Sequence, residues 1–339
     1  MNSQPIDNIE ESENGTLPDV PYFSIVMPMY NRESTVERAL DSCLSQSFTN
    51  WEVIVVDDGS ADSSVEVVSR YCDPRVRIYR HETNRGVCPA RNTAISHALG
   101  KWLLLFDSDD ELLPDALNAI YERTRGAPSS AANLRFMCRF DSGEISPEPP
   151  FSGSLLDYQG YVRWLEVATE GRHEAIVCMR RAVFEHLKFP DNRALESLFH
   201  LDFAKRHLTL DCPDVVRLYH QDAPNSLCAS FSGRRLVTFA PDEAHLHTEL
   251  LSRHGDALRE LAPRLYLSEL RATATFMFLA GRRRAGLKYS LRYLRAKPAS
   301  IGMITVSVFG LWGPSAVVFL KWMRSRLRRA RMAREPLCI

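Results

Sequence analysis

The chain has 339 residues, of which 45% are hydrophobic, and its 42 Lys and Arg are matched by 42 Asp and Glu. That length and apolar content allow a sizeable core and either two domains or one large domain with an appendage. Aromatic residues are sparse among the basic stretches and the rest of the chain is acidic, which argues against a nucleic-acid binder. The eight cysteines include no Cys-x-x-Cys pair, which argues against a zinc site and for reduced thiols.

Residues 1–21 hold Asp7, Glu10, Glu11, Glu13 and Asp19 but no Lys or Arg. They read as a disordered acidic tail and lack the charged start and apolar run of a signal peptide. Phe23 to Pro28 is a short apolar strand, followed by a turn at Tyr30-Asn31-Arg32 and a helix in which Val36, Ala39, Leu40, Cys43 and Leu44 recur at helical spacing. Trp51 to Val56 is a second strand, apolar apart from Glu52 as a strand buried on both faces should be. It ends in Asp57-Asp58-Gly59-Ser60, where Gly59 suits a tight turn and Ser60 or Asp62 a helix cap. Val76 to Tyr79 is a third strand, followed by Asn84-Arg85-Gly86 and a helix through Ala90-Arg91-Asn92. A fourth apolar run, Lys101 to Leu105, leads into Phe106-Asp107-Ser108-Asp109-Asp110. Four β-then-α units predict an α/β fold with a doubly wound, mostly parallel sheet. The carboxylates then emerge at the carboxyl end of a strand, where ligands sit in such sheets. Clustered oxygen donors beside a diphosphate suit Mg²⁺ or Mn²⁺; the same residues could instead be an acidic turn capping the helix that starts near Pro114.

With these pieces in place the chain resembles the inverting family 2 glycosyltransferases of the GT-A fold. The matching motifs are Ser24 to Asn31, Val55 to Ser60, Asn84-Arg85-Gly86 with Ala90-Arg91-Asn92, and Asp107 to Asp110. The clear resemblance covers residues 22–120, the nucleotide-sugar half, and a looser one covers 121–235, the acceptor and catalytic half. It implies that Pro28 and Tyr30 line the base, that Asp58 accepts a hydrogen bond from a base N–H, and that Asn84 and Arg91 lie beside the nucleotide. Asp107 and Ser108 would face the donor, and Asp109 would hold a divalent cation bridging the two phosphates. Local alternatives stand beside these roles: Tyr30 as core, Arg91 as an ion pair on a helix surface, Asp57 as a turn former.

An inverting transferase also needs a base for the acceptor hydroxyl. The family carries it as the Asp of a Glu-Asp pair with an aromatic residue three positions on, and this chain departs from that pattern at Leu195-Glu196-Ser197-Leu198-Phe199. If Phe199 marks the register, Glu196 takes the base position; if Glu196 is the family's Glu, Ser197 takes it and catalysis is in doubt. The first register keeps a carboxylate. Further on, Val215 to His220 resembles the segment ending in the family's late His, and His220 as a metal ligand would favour Mn²⁺ over Mg²⁺.

Residues 236–339 read as a helical basic region. From 281 onward there are fourteen cations against one anion, Glu335, and they flank Ala299 to Leu320, 22 residues without a charge. Gly310, Gly313 and Pro314 interrupt that run, and both flanks are basic, which disfavours a span. The expectation is an appendage associating with the cytoplasmic face of a membrane through anionic lipid, or else a buried helical hairpin. The reading is a metal-dependent inverting glycosyltransferase, peripheral on the inner face of the cytoplasmic membrane, that moves a sugar from a nucleoside-diphosphate donor to an envelope glycan or lipid-linked acceptor. Its rivals are a nucleotide-sugar-binding scaffold without catalysis and a phosphohydrolase, the latter leaving Asp58 and Asn84 to Asn92 unexplained.

Overall fold

The computed structural model describes residues 20–148, 151–169, 173–191, 196–221 and 235–320. The acidic tail up to residue 19, Leu195, the segment after Gln221 and the cations beyond residue 320 lie outside the described residues.

Strands β1 (Phe23–Met29), β2 (Trp51–Asp57), β3 (Val76–Arg80) and β4 (Trp102–Leu105) form one end of a ten-stranded sheet. Its order continues through β9 (Ala175–Arg180), β6 (Ala131–Phe140), β10 (Leu208–Tyr219) and β5 (Glu111–Leu112) as 3-2-1-4-9-6-10-5, with β7 (Ile145–Ser146) on β6 and β8 (Leu155–Leu156) on β10. The first four strands are mutually parallel, with Asp57 paired to Met29 and to Arg80, and Leu105 to Val177 of β9. The expectation of a mostly parallel sheet is corrected beyond β4: β9 runs antiparallel to both β4 and β6, and only β6 and β10 are parallel there. The apolar run of β9 reports burial alone, since both strand directions bury the same side chains.

Alternate residues of the parallel strands feed two cores. Ile25, Met27, Val53, Val55 and Leu104 face helices α1 (Val36–Leu44) and α4 (Ala116–Gly126), whereas Val26, Ile54, Val56, Leu103 and Leu105 face α3 (Val87–Ser96) and Phe184, Phe189, Phe199 and Phe203. Because both faces are covered, the strands read as continuous apolar runs. Helix α2 (Ser64–Val68) completes the β2-to-β3 connection. A third cluster joins α5 (Tyr158–Ala168) and α6 (Glu196–Ala204) to four later helices, α7 (Arg235–Leu261), α8 (Pro263–Leu279), α9 (Arg283–Ala296) and α10 (Ile301–Trp312). The uncharged segment is broken at Gly313 and resumes as helix over 314–320. No helix among the described residues is long and apolar enough to cross a membrane.

Candidate functional site

The carboxyl ends of β1, β2 and β4 meet at one edge, and the loops that leave them are tied to each other. Asn31 adopts the left-handed region (φ 52°), its N–H donates to Ser60 Oγ at 2.8 Å, and its side-chain oxygen accepts from Ala61 N at 2.9 Å. Gly59 has φ +75°, and a Cβ there would stand 2.8 Å from the Thr83 carbonyl carbon, so the turn needs glycine. Asp57 is spent on this turn, accepting from Ser60 N at 3.1 Å and pairing with Arg80 Nε at 3.0 Å.

Asp58 is buried and its oxygens are largely occupied. Oδ1 accepts from Arg85 N (2.9 Å) and meets His81 Nδ1 (2.8 Å), while Oδ2 accepts from Gly86 N (2.6 Å). His81 is fixed in turn by Thr93 Oγ1 at 2.9 Å from Nε2. The carboxylate expected to read a base thus first anchors the Asn84-Arg85-Gly86 loop, where Asn84 lies half-buried. Pro28 is a buried strand residue, and its carbonyl accepts from Ser108 Oγ at 2.9 Å, so Ser108 spends its proton tying β4 to β1. Tyr30 is 39% exposed.

The three clustered carboxylates have separate environments. Asp107 is the open one, its side chain 37% exposed between Arg91 (Oδ1 to Nη2, 3.0 Å) and Arg217 (Oδ2 to Nη1, 3.7 Å). Asp109 pairs with Arg32 at 3.2 Å, and its backbone oxygen accepts from Arg38 Nη2 at 2.6 Å. Burial, reinforced by Asp107, holds its pKa above the ordinary carboxylate range. Asp110 is almost fully buried, 3.2 Å from Arg217, and accepts from His220 N at 3.0 Å. Burial pushes it up to about 8, because Asp107 and Asp109 add to the desolvation that Arg217 opposes.

Arg91, predicted from the third motif, ties this cluster to α6, since its Nη1 pairs with Glu196 while Nη2 holds Asp107. Burial works against its charge, but Glu196 and Asp107 override that and raise its pKa. Asn92 clasps Phe189 with two hydrogen bonds of 2.9 and 3.0 Å, and this fixes the irregular backbone at Phe189 against α3. The Phe199 register therefore leaves a carboxylate beside the acidic cluster, and Ser197 is exposed.

His220 does not join Asp109. Its Nε2 meets Glu111 at 2.7 Å and its Nδ1 meets Asp141 at 2.7 Å, so both ring nitrogens are engaged elsewhere. In this arrangement His220 stands with Glu111 and Asp141 rather than with Asp109. Among the described residues no group of three His, Cys, Asp or Glu side chains is arranged around a cation. Asp107 and Asp109 still fit one chemically: two hard oxygen donors, one open and one partly shielded, close enough to raise the pKa of Asp109.

Sequence reasoning missed Arg217, Arg32 and His81. Arg217 carried a signal, a single cation inside the apolar run Val215-Val216-Arg217-Leu218, which demands buried carboxylate partners; it contacts Asp107, Asp110 and Glu174 (3.5 Å). His81 and Arg32 carried none, since their partners are distant in sequence.

Residues 24–188 match the model of the family described as Glycosyl transferase family 2. The chain is 42% identical over 113 residues to the succinoglycan biosynthesis protein ExoO of Rhizobium meliloti (strain 1021), covering 33% of this chain and 32% of that protein. It is 40% identical over 87 residues to the UDP-Glc:alpha-D-GlcNAc-diphosphoundecaprenol beta-1,3-glucosyltransferase WfgD of Escherichia coli, covering 26% of this chain and 34% of that protein. The chain thus spans about a third of the length of these curated relatives. The structure resembles S. aureus TarS 1-349, solved in complex with UDP-GlcNAc, with a TM-score of 0.55 at 20% identity over 85% of this chain and 79% of that one. At that identity the likeness shows the fold, which is of the GT-A type.

Proposed function

We propose that the protein, whose residues 24–188 match glycosyl transferase family 2, transfers a sugar from a nucleoside-diphosphate donor to a hydroxyl of an envelope glycan or lipid-linked acceptor, with inversion at the anomeric carbon. The observation that carries the reading is the ion-pair chain Glu196–Arg91–Asp107 at the carboxyl end of β4, which brings residues from three separate motifs to one place. The setting draws on ExoO, named for succinoglycan biosynthesis, and WfgD, named for glucosyl transfer to a diphosphoundecaprenol-linked sugar.

In this reading Tyr30 packs on the base, and Asp58 uses its remaining lone pair on the base N–H while holding the Arg85–Gly86 backbone against the donor. A carboxylate acceptor rejects a base that lacks the donor hydrogen, because a buried acceptor is then left unpaired. Asn84 and Arg91 flank the nucleotide, and Asp107 faces it. Asp109, with Asp107, would hold a divalent cation that screens the leaving diphosphate. Glu196 takes the proton of the acceptor hydroxyl at its carboxylate as that oxygen attacks, and Arg91 orients Glu196 and keeps it off Asp107. Residues 22–120 bind the donor and 121–235 supply acceptor contacts and the base. The basic helices after 236 hold the protein to the inner face of the cytoplasmic membrane, near a lipid-linked acceptor.

A panel of nucleotide sugars, each screened by thermal shift with and without Mn²⁺ or Mg²⁺, tests this. The expected result is stabilisation by one or two donors that depends on the cation. Stabilisation by none, with or without metal, would overturn donor binding; binding without turnover on any acceptor would leave the scaffold reading in its place.

A further inference from the structure

Exposed large apolar side chains are concentrated on one helix. Along α10, Ile301, Ile304, Val308, Leu311 and Trp312 recur at helical spacing and all face outward, Ile301 and Trp312 at 79% and 75% exposure. Such a stripe normally faces a core. Here the core side of the same helix is a different stripe, Met303, Val306 and Gly310, all buried.

The rotation of α10 is fixed by packing. A Cβ on Gly310 would lie 2.3 Å from Phe278 Cγ, and a Cβ on Gly286 of α9 would lie 2.7 Å from the same ring. Phe278 of α8 therefore sits between two glycines, and both α9 and α10 approach it as closely as backbone allows. The helix cannot turn its outer stripe inward without losing that contact. The expected hairpin is thus buried on one side only.

The neighbouring helix supplies the second observation. The exposed positions of α9 include Arg284, Lys288, Leu291 and Arg295, three cations around one exposed leucine. Residues 281–320 contain seven cations and no Asp or Glu. A two-fold contact between copies through this face would bring both sets of cations together without an acid to offset them. An anionic lipid surface offers the opposite: acyl chains for the α10 stripe and phosphate charge for α9. The helix is 12 residues long, about 18 Å at about 1.5 Å per residue, against about 30 Å of hydrocarbon, so it lies along the surface. Trp312, at its end, suits the headgroup level.

We infer that α10 is the element that enters the bilayer, in the plane of the interface, with α9 reading anionic headgroups beside it. The inference rests on the membrane association proposed above and names the face responsible for it.

The test is co-sedimentation of the full chain with phosphatidylglycerol/phosphatidylcholine vesicles and with phosphatidylcholine alone, at low and high salt. Wild type should partition to the anionic vesicles. The triple variant Ile304→Asp, Val308→Asp, Leu311→Asp should lose at least tenfold of that partitioning with its melting temperature unchanged, since all three side chains lie outside the core. The variant Arg284→Ala, Lys288→Ala, Arg295→Ala should lose the preference for anionic over neutral lipid. If the apolar variant misfolds, brominated lipid decides: it should quench wild-type fluorescence more than that of Trp312→Phe. Wild type that binds vesicles while the apolar variant binds equally and Trp312 escapes quenching would overturn the inference and leave membrane association standing. Wild type that ignores all vesicles would remove both. Wild type that ignores vesicles but forms a dimer broken by the apolar variant would make this face an interface between copies and overturn the inference too.

Discussion

Arginine does opposite work at the two ends of this molecule. At the carboxyl edge of β4, Arg91 and Arg217 are buried and each contacts at least two carboxylates. On α9, Arg284 and Arg295 are exposed in a segment that holds no acid at all. The first setting fixes geometry, because a desolvated guanidinium must be paired and its planar fork dictates where the partners stand. The second leaves charge free for something outside the chain.

If the paired charges are machinery and the unpaired ones an attachment, substitutions in the two regions should separate cleanly, and the largest effects should come from the first. Asp109→Ala should bring transfer below detection and remove any metal-dependent donor binding while the fold persists, as measured by turnover, calorimetry and circular dichroism; full activity in excess EDTA would break this assignment. Glu196→Gln should lower turnover by about 10²–10⁴ with donor affinity unchanged, because the amide keeps the shape and loses the basicity. Steady-state kinetics with the donor varied would show it, and unaltered turnover would take Glu196 out of the mechanism.

Asp58→Asn sharpens the difference between a ligand contact and a loop anchor. The amide turns its NH₂ towards backbone N–H groups that donated to a carboxylate, so each buried donor left unpaired costs about 1–3 kcal/mol. Both melting temperature and nucleoside-diphosphate affinity should fall; a drop in affinity alone would make Asp58 purely a ligand contact, and a drop in stability alone purely an anchor.

A smaller effect is expected from His200. Burial, then the Arg91 and Arg135 guanidiniums, push its imidazole down to about 3. The unfolded chain takes up that proton near pH 6.5, so stability should be level above about 6.5 and fall as pH drops from there towards 3. Thermal melting at a series of pH values should show that slope, and His200→Gln should flatten it. The smallest effect belongs to the attachment: Arg284→Ala, Lys288→Ala, Arg295→Ala should leave turnover on a soluble acceptor unchanged. A large loss there would erase the distinction between the two regions.

The parallel half of the sheet was open to reading from the sequence because burial on both faces writes itself into local composition. Val53 to Val56 and Leu103 to Leu105 are apolar without a break, and the acids that follow mark where the strands surface. Tyr30, Arg91, Asp107 and Glu196 were named through the resemblance to a family, the first three from motifs that stand beside such runs and Glu196 from the register of Phe199. The contacts of Pro28, Ser108 and His220 were not open to reading, because a residue's position along the chain does not reveal its hydrogen-bond partner: Ser108 answers to Pro28, 80 residues away, and His220 to Glu111 and Asp141.

By itself, then, the sequence determined which segments are buried, where the carboxylates emerge, and that the last sixty residues carry almost only positive charge. Only the tertiary structure decided that β9 runs antiparallel, that Asp110 is a buried acid paired to Arg217, that Asp58 is committed to its own backbone, and which side of α10 faces outward. The physical reason is one of range. Hydrophobic burial is set by the composition of a few neighbouring residues, whereas strand direction, ion-pair partners and helix rotation depend on where distant parts of the chain come to rest.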